Sequence, residues 1–379
     1  MATRKERIKV VHIVTRMNTG GVAVLIGNLM TGLDQNKFDL TLVTGICDAT
    51  EEDYLEKIAT TIPFVKVESL KRSISPRQDF LTGVKLWKIL KNIQPDIVHT
   101  HTSKAGLIGR TISRISVPSA KRVHTFHGHL LDGYFSPTKT KLITNLESSL
   151  AKNTHALIAM GNQVKNDLLK VGVGSESKFR VFFPGLRPAN IHSKEESKIK
   201  LGVDFAIPTC LFVGRLTQIK RPDRLLDAIA ILKKKGLEFE FLVAGDGELS
   251  DYVKSRISNE ELPVKMLGWV KDTSDAFSAA DIMVLCSDNE AVSLVLIEGS
   301  QYGLPLVSSN VGSVSDIVID NSTGYLTEST PESLADAIEK LARDPQLRQM
   351  MGAAGKAHAE RYFSLDRMIK DHSELYQSL

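Results

Sequence analysis

The chain has 379 residues, 42% of them hydrophobic and 24% charged, a globular composition that excludes a disordered or fibrous protein and is too long for one compact core. Its net charge of +4 conceals an uneven split: residues 1–190 carry 27 Lys and Arg against 15 Asp and Glu, whereas residues 191–379 carry 21 against 29. Two domains are expected, the first with a basic surface suited to binding.

Short β-branched runs alternate with segments of helical period. The first, IKVVHIV (8–14), follows the basic MATRKER but leads into a polar turn without a small-residue cleavage pattern. It reads as a strand, not as a signal peptide. FDLTLVT (38–44), DIVHTH (96–101), RVHTFH (122–127), HALIAM (155–160) and FRVFF (179–183) follow. PGLRPANIHSKEESK then breaks the pattern near 185–205. The second series is TCLFVG (209–214), FEFLVAG (239–245), VKMLGW (264–269), DIMVLCS (281–287) and PLVSS (305–309). Near-continuous apolar runs of this kind are strands covered on both faces. The double alternation predicts an α/β protein of two doubly wound domains, 1–190 and 191–360, with a terminal helix over 361–379. In that helix Leu365, Met368, Ile369, His372, Leu375, Tyr376 and Leu379 share a stripe, and the first domain is expected to cover it. Cys47, Cys210 and Cys286 lie in or near apolar runs without a C-x-x-C pair, as buried thiols of a reduced, cytoplasmic chain would. No apolar stretch reaches the ~20 residues of a membrane helix, so any membrane contact is expected to be peripheral.

Ligands of open α/β sheets bind beyond the carboxyl ends of the strands. After the first strand, Gly20 and Gly21 open a helix, where free N–H groups suit an anion; a plain flexible turn is the other reading. In the second half, Arg215 follows a strand and Lys220 comes five residues later, just before Pro222. Two cations in one loop suit a phosphoryl group, and an ordinary solvated loop is the alternative. Glu290 precedes a helix whose Glu298 sits among Leu294, Leu296 and Ile297; a carboxylate there needs partners, whether hydroxyls of a ligand or an internal cation. Ala291, Val292 and Ser293 offer helix N-terminal amides. In the first half His99, His101 and Lys104 end one strand and His124, His127 and His129 another. Such imidazoles suit sugar hydroxyls, and without an acidic cluster a zinc site is disfavoured.

The chain holds no D-x-D, no Walker-type phosphate loop and no G-x-S-x-G elbow, which removes support for kinase, ATPase and esterase chemistry. The segments GG (20–21), HTHTSKAG (99–106), HTFHGH with GYF (124–135), GRLTQIKRPD (214–223), AGDGEL (244–249) and NEAVSLVLIEGSQYGLPLV (289–307) together resemble the retaining nucleotide-sugar glycosyltransferases of family 4, the group 1 class of bacterial polysaccharide enzymes. That resemblance implies the GT-B fold, two Rossmann-like domains facing a cleft. It further implies that Arg215 and Lys220 bind the donor diphosphate, that Gly21 adds a backbone amide, that Glu298 holds the ribose, and that Glu290 and His127 reach the donor sugar. Val270 would meet the base. His99, His101, Lys104 and His129 would serve the acceptor side.

The implied activity is retaining transfer of a hexose or N-acetylhexosamine from a UDP-sugar to a glycan or lipid-linked acceptor in cell-surface polysaccharide synthesis. No metal and no cofactor beyond the donor substrate are implied, and no nucleic-acid partner. The expected location is cytoplasmic and peripheral on an anionic membrane face. A UDP-sugar 2-epimerase-like enzyme or a non-catalytic sugar-nucleotide-binding subunit would share part of the pattern. Ala291, Val292 and Ser293 depart from the family's usual Gly, Thr or Phe, and Pro or Gly, and Ser313 and Ser315 depart from its VGGVPD stretch.

Overall fold

A computed structural model describes residues 7–48, 51–58, 60–128 and 137–379. The chain divides into two units, Met1–Gly185 together with Leu365–Leu379, and Leu186–Ser364. These bounds differ from the 190/191 and 360/361 divisions expected from sequence. Leu186 N donates to Phe363 O at 3.0 Å and bridges Ser364, so it already belongs to the second unit, and the Pro345–Tyr362 helix runs unbroken through 360.

In the first unit the described strands are β1 (Ile8–Val14), β2 (Phe38–Thr44), β3 (Phe64–Lys66), β4 (Ile97–His101), β5 (Lys121–Phe126), β6 (Ala156–Ala159) and β7 (Phe179–Val181). They form a parallel sheet in the order β3-β2-β1-β4-β5-β6-β7. Side chains alternate across it. Val11, Ile13, Val43 and Val98 face a core shared with Leu86 and Leu90 of the Pro76–Ile93 helix. The opposite face carries His12, which is in register with His99. The terminal helix, Leu365–Ser378, covers that face: His372 and Tyr376 pack against His99, while Ile369 lies against Gly32 of the Gly21–Gly32 helix. The expected docking of this stripe on the first unit is what the structure shows.

The second unit has β8 (Thr209–Val213), β9 (Glu240–Ala244), β10 (Val264–Gly268), β11 (Ile282–Leu285), β12 (Leu306–Ser309) and β13 (Gly324–Thr327), parallel in the order β10-β9-β8-β11-β12-β13. Two strands escape the sequence reading, β3 and β13, and both lie at a sheet edge. With one neighbour each and little apolar sequence, they lack the continuous run that marks central strands. Cys210 and Cys286 are buried, as expected, but Cys47 is only partly so. No helix among the described residues is long and apolar enough to cross a membrane.

Candidate functional site

Each sheet reverses its strand order once at its centre: between β1 and β4 in the first unit, and between β8 and β11 in the second. Such reversals splay the loops on either side apart and open a crevice at the carboxyl ends of the strands. The loops after β8 and β11 hold Arg215, Lys220, Glu290, Ala291, Val292 and Ser293; after β1, Gly20 precedes the helix that Gly21 opens, and after β4, Lys104 lies in the first turn of the Ser103–Ser116 helix.

In the second unit, Arg215 is exposed and its guanidinium has no ion pair among the described residues. The Lys220 ammonium pairs with Glu290, which also accepts a hydrogen bond from Ser287 Oγ at 2.6 Å. A lattice of charges beneath holds these two loops together. Arg221, in the left-handed region at φ 51°, grips Asp223 at 2.8 Å and Asp288 at 3.0 Å. Arg224 reaches the same Asp288 at 2.6 Å and donates to Cys286 O at 2.7 Å. Bidentate guanidinium contacts of this kind fix geometry as well as charge, and they set where Lys220 and Glu290 meet. The Glu290 backbone is braced from the other side by Gly312, at φ +54°, where a β-carbon would strike Glu290 O. Ser313 N donates to Ala291 O at 3.1 Å.

Glu298 lies in the Leu294–Gln301 helix. Neither an internal cation nor a hydrogen-bond partner for its side chain exists among the described residues, so among them it forms no internal salt bridge. Burial alone pushes its pKa up to about 7. Val270 follows β10 on the same sheet edge, next to Gly268 in the left-handed region and the exposed Trp269.

In the first unit, Gly20 and Gly21 open the Gly21–Gly32 helix as expected. A β-carbon on Gly20 would meet nothing nearer than Asn18 O at 3.8 Å, so packing within the protein does not demand glycine there. The imidazoles form a hydrogen-bonded chain. His12 Nδ1 and His101 Nε2 are 3.0 Å apart, and His101 Nδ1 and His127 Nε2 are 3.0 Å apart. His99 contacts Tyr376 Oη at 2.6 Å and Thr125 Oγ1 at 2.7 Å. The chain ends at His127 Nδ1, which is buried without a partner among the described residues. Burial lowers the pKa of His12 to about 3 and that of His127 to about 4, so the array is neutral around pH 7 and its last ring acts as a hydrogen-bonding group, not a cation.

Three expectations for the acceptor side are corrected. His99 and His101 are buried in the sheet and satisfied by Tyr376, Thr125, His12 and His127: the terminal helix packs His372 and Tyr376 on His99, and His101 lies between the rings of His12 and His127. Lys104 pairs with Asp79 at 2.5 Å and donates to Ser73 O, so it braces the Pro76–Ile93 helix. His129 and the GYF stretch lie outside the described residues. The nearest nitrogens of His12, His99 and His101 fall within 4.8 Å of one another, but each ring is already engaged in hydrogen bonds. The sequence reading did not find Arg221, Arg224, Asp288 or Gly312. Arg221 and Arg224 reach Asp288 from 67 and 64 residues away, and nothing local signals it.

Comparison with known proteins places the chain in a family. The model of the "Glycosyl transferases group 1" family matches residues 193–358, and that of "Glycosyltransferase Family 4" matches residues 19–189. The chain is 30% identical over 368 residues to the Escherichia coli UDP-Gal:alpha-D-GlcNAc-diphosphoundecaprenol alpha-1,3-galactosyltransferase, covering 92% of each chain. It is 24% identical to the Staphylococcus aureus capsular polysaccharide biosynthesis glycosyltransferase CapM, covering 98% of this chain and 97% of that one. Among solved structures, Anabaena Alr3699/HepE in complex with UDP and glucose superposes with a TM-score of 0.81 at 19% identity, over 98% of this chain and 100% of that chain. The chain belongs to the group 1 glycosyltransferases and has the GT-B fold.

Proposed function

We propose that this glycosyltransferase moves a hexosyl or N-acetylhexosaminyl group from a UDP-sugar to a lipid-linked glycan, with retention of configuration and without a metal ion, at the cytoplasmic face of a membrane during cell-surface polysaccharide synthesis. The observation that carries the reading is the second unit's switch-point crevice, where an unpaired guanidinium, an ammonium and an unpartnered carboxylate lie in adjoining loops and the helix that follows. The UDP-sugar preference and the lipid-linked acceptor draw on the Escherichia coli relative, whose name states both.

Arg215 and Lys220 neutralise the diphosphate, Lys220 exchanging Glu290 for a phosphate oxygen. Glu290 is thereby released to accept hydrogen bonds from the donor sugar's hydroxyls, with the amides of Ala291, Val292 and Ser293 beside it. Glu298 accepts from the ribose diol, and the backbone at Val270 meets the base. In the first unit, Gly20 and Gly21 offer helix N-terminal amides suited to an anion, and His127 Nδ1 is suited to a hydroxyl. In the reaction the acceptor oxygen forms a bond to the anomeric carbon on the face from which the bond to the diphosphate oxygen breaks. The acceptor's proton passes to the departing phosphate oxygen and UDP leaves. Catalysis then rests on positioning and on stabilising the leaving anion, the role two cations can fill.

The test is a heat-denaturation screen with UDP-, GDP- and ADP-sugars, followed by transfer to a synthetic lipid diphosphate sugar and assignment of the product anomer. Protection by UDP-sugars and an anomer matching the donor are expected, with activity retained in EDTA. Protection by none of these donors refutes the reading. An epimerised nucleotide sugar without an acceptor would point to an epimerase, and binding without transfer to a binding subunit.

A further inference from the structure

The Pro76–Ile93 helix has two apolar faces. Thr82, Gly83, Leu86 and Leu90 are buried, and the absence of a side chain at Gly83 brings Ile112 of the Ser103–Ser116 helix close. Phe80, Val84 and Trp87, spaced i, i+4 and i+7, form a second stripe that faces solvent, at 72%, 40% and 43% exposure. With Leu107, Ile108 and Ile112 they line an open groove of about 450 Å³ between the two helices. Ile74, just before the helix, and Ile115 are 80% and 67% exposed. Scattered exposed apolar side chains need no explanation, but a contiguous patch of this kind does.

Apart from Asp79, which lines the groove, the charged side chains of the two helices have one sign. Arg72, Arg77, Lys85, Lys88, Lys91 and Arg114 are exposed and enter no ion pair among the described residues. The single acid of the helix, Asp79, is already paired with Lys104. Aromatic and aliphatic groups flanked by basic side chains on one helix face are what an anionic bilayer surface binds: the rings enter the interface and the cations meet lipid phosphates. A symmetric contact between two copies would set these cations against one another.

We propose that this face docks the enzyme on an anionic membrane. The inference rests on the reading that the acceptor is lipid-linked, and it names the surface that brings the chain to that acceptor. Flotation with vesicles of phosphatidylcholine, with and without phosphatidylglycerol, tests it. The protein is expected to float only with the phosphatidylglycerol vesicles, and to do so less at about 0.5 M than at about 0.1 M salt, where the Debye length is ~10 Å. Lys85→Gln, Lys88→Gln and Lys91→Gln combined should weaken binding about 10- to 100-fold, and Phe80→Ser with Trp87→Ser should weaken it at both salt concentrations.

All five positions are exposed, so circular dichroism of the variants should match that of the parent. Equal flotation of parent and variants, or no flotation of the parent, overturns the proposal. So does a dimer in sedimentation that Phe80→Ser with Trp87→Ser dissociates. Transfer to a detergent-dispersed, short-chain acceptor should be the same in parent and variants. If flotation behaves as expected while no protein makes product, the function reading fails and the docking surface stands.

Discussion

The two switch-point regions of this enzyme solve opposite electrostatic problems. In the second unit the groups carry or can carry charge: Arg215 is exposed, Lys220 pairs with Glu290, and Glu298, a carboxylate without a side-chain partner among the described residues, has its pKa lifted to about 7 by burial. In the first unit the groups are neutral and sealed: His12, His99 and His101 are buried, the first two against Tyr376 of the terminal helix, and among the described residues His127 Nδ1 is the nitrogen of this array left without a partner. An anion such as a diphosphate needs the first kind of site, because fixed cations stabilise charge that develops on a leaving group. A sugar hydroxyl needs the second, because a neutral imidazole with one fixed tautomer gives direction without charge. The difference teaches that titratable residues at strand ends divide by what covers them.

The largest effect should come from breaking the charged region. Lys220→Ala is expected to lower kcat about 10²- to 10³-fold, the scale of losing one preorganised stabiliser of a developing anion, with little loss of melting temperature; steady-state kinetics and calorimetry check both. Next, Glu298→Gln should weaken nucleotide-sugar binding roughly 10-fold, since a hydrogen bond to an ionised group is exchanged for a neutral one. Wild-type affinity should rise between pH 6 and pH 8 as Glu298 ionises around its pKa of about 7, and the Gln variant should lose that dependence. A titration of a nucleotide sugar, whose diphosphate does not titrate near neutrality, separates the two. The same slope in both would remove Glu298 from the site.

The pH dependence of stability sharpens the contrast, because its sign differs between the units. Histidines whose folded pKa is depressed, His12 to about 3 and His127 and His372 to about 4, leave the folded state with fewer bound protons than the unfolded chain below the usual 6.5. Their contribution is full above that pH and is lost as pH falls towards 4. Glu298, with its folded pKa raised, acts the other way: it costs stability as pH rises from about 4.5 towards 7. Thermal melts followed by fluorescence should therefore show the first unit, marked by Trp87, melting earlier at pH 5 than at pH 7, with a smaller shift of the opposite sign in the second, marked by Trp269. Equal shifts would contradict the division. The smallest expected effect is that of Tyr376→Phe, which removes one buried hydroxyl from His99 and should cost about 1 kcal/mol.

How much of this was readable varied with the range of the interaction. Central strands such as IKVVHIV and DIMVLCS announced themselves because both faces are buried, whereas FVK at β3 and GYLT at β13 did not. Arg215, Lys220 and Glu290 were found by a positional rule, polar residues after a strand, and the structure places them in loops at a switch point. That rule failed for His99 and His101. Their places in the strand gave no hint that a helix more than 260 residues later would pack on His99 or that His101 would lie between the rings of His12 and His127, and Lys104 could not be seen to reach Asp79. Leu186 and Ser364 likewise moved the boundary between the units through one long-range bridge.

The central claim is that the second unit's switch point holds a nucleoside diphosphate through Arg215 and Lys220 without a divalent ion. Titration of UDP in EDTA into the parent and into Arg215→Met tests it most directly. Measurable binding by the parent is expected, with a loss of about 100-fold in the variant, the scale of a lost charge-assisted bidentate contact. Equal affinity of the two proteins, or binding that appears only when a divalent cation is added, would contradict it.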